Sequence, residues 1–169
     1  MDSRMIKTKK VTDRRHLRFG RMEDILRDAE WLNTEAEAGK TLRASGNWTP
    51  AQIVDHVTRT MSYSLDGFPP DATLPLPIRF IAKMMKSSVL NKPMKPGVKL
   101  KGKLAEIFQP ESNVTWGQAM TRLRNLIARV KKGDRMTAVS PAFGAMAHEE
   151  WMQLHCRHAE MHFGFIHAG

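Results

Sequence analysis

The side chains best suited to chemistry cluster near the C-terminus, in Trp151-Met-Gln-Leu-His155-Cys-Arg-His158-Ala-Glu-Met-His162-Phe-Gly-Phe165. An α-helix advances about 100° per residue, so His155, His158 and His162 point within roughly 60° of one another. Trp151, Leu154 and Phe165 share that stripe and are the residues expected to face a core. Imidazoles on a buried face need partners. One divalent ion would satisfy several at once, at Zn–N distances of about 2.0–2.1 Å. His158 and His162, at i and i+4, can grip one ion from a single helix. His155 is open to three roles: a further ligand, a group behind the ligands, or a gate.

Two familiar metal chemistries fail on spacing. A zincin protease needs glutamate directly after the first histidine of the pair, but Ala159 follows His158, and Glu160 points about 200° away from it. A di-iron carboxylate bundle needs Glu-x-x-His from two helices, which the other helices do not supply. Cys156 lies about 100° from His155 and reads as an inert, half-buried thiol.

A third ligand must come from elsewhere in the chain. The clearest helix start is Thr49-Pro50-Ala51-Gln52: Thr49 caps, Pro50 takes the first helical position, Gln52 reaches back, and Trp48 with Ile53 forms a hydrophobic staple. The helix runs to Asp66-Gly67, with Ile53, His56, Thr60 and Leu65 along one side. His56 is therefore the best third ligand. His16, among arginines, reads as a surface or packing residue. His148, at an exposed helix start, is a poor ligand candidate.

Two more long helices frame these two histidine-bearing segments. One spans about Met22 to Glu37, with Ile25, Leu26, Ala29, Leu32 and Ala36 as its stripe and Gly39 as its stop. The next of the long helices opens at a second capping box, Thr115-Trp-Gly-Gln118, and carries Ala119, Met120, Leu123, Leu126, Ile127 and Val130 to a stop at Gly133. The last opens at His148-Glu-Glu and runs through Phe165. Residues 68–113 form a crossover, with six of the nine prolines between Pro69 and Pro96, which no single helix tolerates. Within it a short helix from about Pro77 to Leu90 is expected, with Ile78, Ile81, Met84, Met85 and Val89 inward and Arg79, Lys83 and Lys86 outward. Val11–Phe19 has partial alternation and suits one short strand. The expected class is all-α: one domain over residues 1–169, a four-helix bundle with a long crossover insertion.

The net charge of +10 is unevenly spread. Residues 1–21, a basic arm, hold eight Lys/Arg against two acids, and residues 79–103 hold eight and none. The rest of the chain is mildly acidic. Neither basic segment has a recognition helix or interleaved aromatics, so nucleic acid ranks low as a partner. No apolar run approaches the ~18 residues of a membrane span, so no membrane partner is expected. The lone Cys156 and the absence of a secretion signal fit a cytoplasmic location.

Lys7-Thr-Lys-Lys-Val-Thr-Asp-Arg-Arg15, Gly46-Asn-Trp-Thr-Pro-Ala-Gln-Ile-Val-Asp-His56, Lys92-Pro-Met-Lys-Pro-Gly97 and the Trp151–His162 segment together resemble the DinB/YfiT-like superfamily of bacterial four-helix bundles, in an uncharacterised branch. The resemblance implies a divalent-metal triad at His56, His158 and His162, with His155 matching an extra histidine found in some relatives. Zinc or nickel is the expected ion. Characterised members include thiol-dependent S-transferases and a mycothiol-dependent maleylpyruvate isomerase. By resemblance this chain is expected to be a metal-dependent thiol transferase or hydrolase-like enzyme, acting on a small-molecule substrate with a low-molecular-weight thiol, and a homodimer is compatible with it. The alternative is a non-enzymatic binding or regulatory module that uses its basic arm and insertion on nucleic acid or an acidic partner.

Overall fold

The computed structural model describes residues 5–98 and 100–169. Among the described residues the chain is mostly helical, with six α-helices and one two-stranded sheet. In order these are α1 (Met22–Glu37), β1 (Leu42–Ala44), α2 (Pro50–Asp66), α3 (Leu76–Asn91), α4 (Lys103–Phe108), α5 (Trp116–Lys131), α6 (His148–Phe163) and β2 (Ile166–Ala168). A single 3-10 turn at Thr8–Lys10 precedes them.

Local chemistry sets the ends of the histidine-bearing and partner helices. At α2 the Gln52 N–H donates to Thr49 Oγ1 (3.2 Å) and the Thr49 N–H donates to Gln52 Oε1 (3.0 Å). At α5, Thr115 and Gln118 repeat this reciprocal pair. Both boxes satisfy amides that have no partner within the helix. Helix α6 starts differently, because Ala147 has no side-chain acceptor. There Glu150 alone accepts from the Ala147 N–H (2.9 Å).

Four of the helices share one apolar core. Ile25, Ala29 and Leu32 of α1 meet Ile53, Val57 and Met61 of α2, Met120, Leu123 and Ile127 of α5, and Trp151, Ala159 and Phe163 of α6. Burial of such side chains contributes roughly 1.5–3 kcal/mol each, so this shared core fixes how the α2 and α6 histidines face one another.

Three expectations from sequence need correction. First, no strand forms over Val11–Phe19. The arm instead spends its cations one by one on the end of α6: Arg14 Nη2 donates to the Met161 carbonyl (2.7 Å), and Arg15 Nε donates to that of Ile166 (2.7 Å) while its guanidinium grips Asp28 through two bonds of 2.7–2.8 Å. Cations suit a helix C-terminus, where carbonyls lack partners. Second, α6 stops at Phe163 instead of running through Phe165. Its exit is squeezed at Gly164, where a Cβ would lie 2.9 Å from the Arg15 carbonyl oxygen. Beyond it β2 pairs antiparallel with β1, Leu42 opposite Ala168 and Ala44 opposite Ile166.

Third, α3 is turned over. Ile78, Ile81, Met84 and Met85 are exposed and the inward side carries Arg79, Lys86 and Leu90, while Lys83 stays outward and Val89 half-buried as expected. Lys86 Nζ bonds Glu150 Oε2 (2.7 Å), the same carboxylate that caps α6. That ion pair and the buried Leu90 orient the helix. Among the described residues no helix is long and apolar enough to cross a membrane.

After α4 the crossover lies along α2, held by one hydrogen bond after another. Tyr63 Oη donates to the Ile107 carbonyl (3.3 Å), Arg59 Nη1 donates to that of Gln109 (3.2 Å), and the Glu111 N–H donates to Asp55 Oδ2 (3.1 Å). Asp55 is fully buried and also accepts from Arg122 Nη1 of α5 (2.6 Å). Asp55→Ala removes a fully buried acceptor shared by the Glu111 amide and Arg122, so it should cost about 1–3 kcal/mol in urea unfolding. A change within about 0.5 kcal/mol would show that this clip holds nothing.

Candidate metal centre

The core packing of α2 against α6 brings three of the four candidate histidines to one place. One ligand atom from each of His56, His158 and His162 lies within 4.8 Å of the others. His56 Nε2 is 3.3 Å from His158 Nε2. Two nitrogens bound tetrahedrally at 2.0–2.1 Å would lie about 3.3 Å apart, so this edge already has the right length. The other separations, within 4.8 Å, exceed that length by up to about 1.5 Å, which side-chain rotation would have to close.

The tautomer of His56 is set by its surroundings. Its Nδ1 is 2.6 Å from the Phe108 carbonyl oxygen, which can only accept, so Nδ1 carries the proton. The Nε2 lone pair then points at His158. This is the usual arrangement of a metal-binding imidazole, whose remote N–H is held by a carbonyl or carboxylate. His158 Nδ1 is buried with no hydrogen-bond partner among the described residues.

Trp48 covers the group. Its ring is 4.7 Å from that of His56, and it stacks on His162 at 5.5 Å with an interplanar angle of 19°. The staple residue that anchors the start of α2 is thus also an apolar wall of the site.

All three imidazoles are held neutral. Burial pulls the His56 pKa down to about 4, the Phe108 bond opposing this and Arg59 adding to it. Burial, then the neighbouring imidazoles of His162, His56 and His155, hold His158 well below the usual histidine range. Burial, followed by His56 and Arg14, does the same to His162. Neutral imidazoles present free lone pairs at ordinary pH, the form that ligates. Arg59 and Arg14 disfavour the charged forms of His56 and His162 respectively, while Asp55 acts the opposite way on His56.

His155 is not part of this group. Its Nε2 is 3.0 Å from Ser64 Oγ, whose own hydroxyl donates to the Met61 carbonyl (2.6 Å). Ser64 therefore accepts from His155 Nε2–H. The ring stacks on Trp151 at 5.4 Å, and burial lowers its pKa to about 3. It serves as a buried packing residue. His148 Nδ1 accepts from the Met136 N–H (3.0 Å), and His16 is exposed.

Carboxylates near these elements are committed elsewhere. Asp55 holds Arg122 and Glu111, while Glu160 accepts from the Phe19 N–H and pairs with Arg157 (2.9 Å). Cys156 is buried, and burial followed by Glu160 pushes its thiol up to about 12, so it is no nucleophile.

The sequence reading missed the Phe108 carbonyl, the second role of Trp48, and the two arginines. A backbone carbonyl has no signature in sequence. Trp48 had one, since this staple residue sits eight positions, about two turns, before His56.

Residues 11–168 match the model of a family described as "Protein of unknown function (DUF1569)". The chain belongs to that family. All three clustered histidines lie within the DUF1569 match. Comparison with curated proteins and with solved structures finds no match to this chain.

The lowered histidine pKa values set a direction for acid sensitivity in metal-free protein. Between pH 6.5 and about 4, the unfolded chain binds a proton at residue 56 that the folded one refuses. Stability therefore rises with pH across that window and is lost on acidification. Thermal midpoints should fall steadily from pH 6.5 to 4, less so in His56→Gln, and midpoints that stay level in the native chain would contradict the burial of neutral imidazoles.

Proposed function

We propose that this chain is a DinB/YfiT-like metal-binding bundle in which His56, His158 and His162 hold a divalent ion, zinc or nickel. The observation that carries the reading is the 3.3 Å approach of two ring nitrogens, with the Phe108 carbonyl fixing which tautomer His56 presents. Three neutral nitrogen donors and no carboxylate suit zinc or nickel better than magnesium or calcium, which favour oxygen.

Three protein ligands leave a tetrahedral ion one open position. A bound ion would supply Lewis acidity there, lowering the pKa of a thiol or water. The chain's own residues favour the thiol. Free thiols have a pKa near 8.5, against about 15.7 for water, so a thiol needs far less assistance to ionise. Among the described residues no carboxylate joins the three histidines to take a proton from water, and Trp48 excludes solvent from one side. The function best supported is therefore metal-dependent transfer to or from a low-molecular-weight thiol, ahead of hydrolysis.

Elemental analysis and chelator competition on untagged protein test the site. About one equivalent of zinc or nickel should bind, His56→Ala or His162→Ala should weaken binding at least about 100-fold, and His155→Ala should keep the metal. Failure of the apo protein to take up either ion would end the proposal. Cobalt-substituted protein tests the thiol. A small thiol should add a sulfur-to-cobalt charge-transfer band, and an unchanged spectrum would return the choice to hydrolysis.

A further inference from the structure

The inverted α3 leaves a surface that neither the core nor the metal centre uses. Its inner side is fixed by the Lys86–Glu150 pair and by buried Leu90. Its outer side therefore presents Leu76, Phe80, Ile81, Met84 and Met85 to solvent, with Leu76, Phe80 and Met84 between 66% and 75% exposed. Residues 76, 80 and 84 are successive turns of one stripe, and 81 and 85 lie beside it. A contiguous apolar ridge of this kind marks a binding surface. Val98 and Leu100 in the following loop extend the exposed apolar surface.

The charge around this ridge is of one sign. Residues 79–103 hold eight Lys/Arg and no acid. Lys83, Lys92, Lys95, Lys101 and Lys103 are exposed, and among them only Lys103 approaches a carboxylate, that of Asp71 at 3.8 Å. The occupant must accept apolar side chains and carry negative charge around them.

We propose that the outer face of α3 and the lysine loop after it dock this protein on an anionic lipid surface. Acyl chains take the Phe80 and Met84 ridge while lipid phosphates take the lysines, the pairing that holds amphipathic helices at a membrane interface. The helix lies on the surface and does not span it: sixteen residues interrupted by Arg79, Lys83 and Lys86 are too few and too charged. A second copy of the chain fits less well, because face-to-face packing would press two strips of like charge together. Nucleic acid would meet the lysines but leave the ridge in water.

Co-sedimentation of the full chain with vesicles tests this, comparing pure phosphatidylcholine with mixtures containing about 30% phosphatidylglycerol. The protein should pellet with the anionic vesicles, about tenfold less with the neutral ones, and less as salt is raised. Phe80→Ser with Met84→Ser, and separately Lys92→Glu with Lys95→Glu, should each lower binding about tenfold while leaving the thermal midpoint unchanged, since all four side chains are exposed. No pelleting with anionic vesicles overturns the proposal. So does binding that the lysine variant loses and the serine variant keeps, because the ridge is then idle. A dimer in light scattering that the serine variant dissociates, without vesicle binding, would give the face to a second copy instead.

Discussion

The hydrogen bond from His56 Nδ1–H to the Phe108 carbonyl is the point where the helical core, the crossover and the histidine group depend on one another. A buried imidazole has one nitrogen that must donate and one that must accept. By taking the proton side, the carbonyl turns the Nε2 lone pair toward α6. That carbonyl stays in place only because Tyr63, Arg59 and Asp55 of α2 fasten residues 107, 109 and 111 around it. Asp55 is in turn held by Arg122 of α5. The geometry of one ring nitrogen therefore traces back through the crossover to a neighbouring helix.

Burial explains why the group could hold an ion and is not simply a polar patch. Desolvation removes the charged forms of His56, His158 and His162, leaving lone pairs that face one another at short range. Such an arrangement is poorly satisfied by hydrogen bonds alone, since His158 keeps an unpartnered nitrogen among the described residues. His155 is as deeply buried, only three residues away, and also keeps its Nδ1 unpartnered, but its Nε2 is turned to Ser64 and its ring stacks on Trp151, so it stands apart from the group.

The positive charge of the chain is divided between two uses. Arg14 and Arg15 are consumed by α6 carbonyls and Asp28, so the arm acts as a clasp on the helix that carries two of the histidines. Of the described crossover lysines, Lys83, Lys92, Lys95 and Lys101 are exposed, and the helix among them faces its apolar side outward. The Lys86–Glu150 ion pair and buried Leu90 together hold that orientation.

The sequence alone determined whatever depends on neighbours three or four positions apart. Thr49 with Gln52 and Thr115 with Gln118 marked two helix starts, alternating apolar residues marked the core faces of α1, α2 and α5, and the i, i+4 spacing put His158 and His162 on one side of α6. Tertiary structure decided the rest. Which side of α3 meets the protein rests on a contact across 64 residues, and the Phe108 carbonyl reaches His56 across 52. The end of α6 and the pairing of β1 with β2 follow from how tightly the arm passes Gly164. Periodicity reveals that a helix has two faces but not which one will be buried, and a backbone carbonyl is the same in every residue. Only packing distinguishes them.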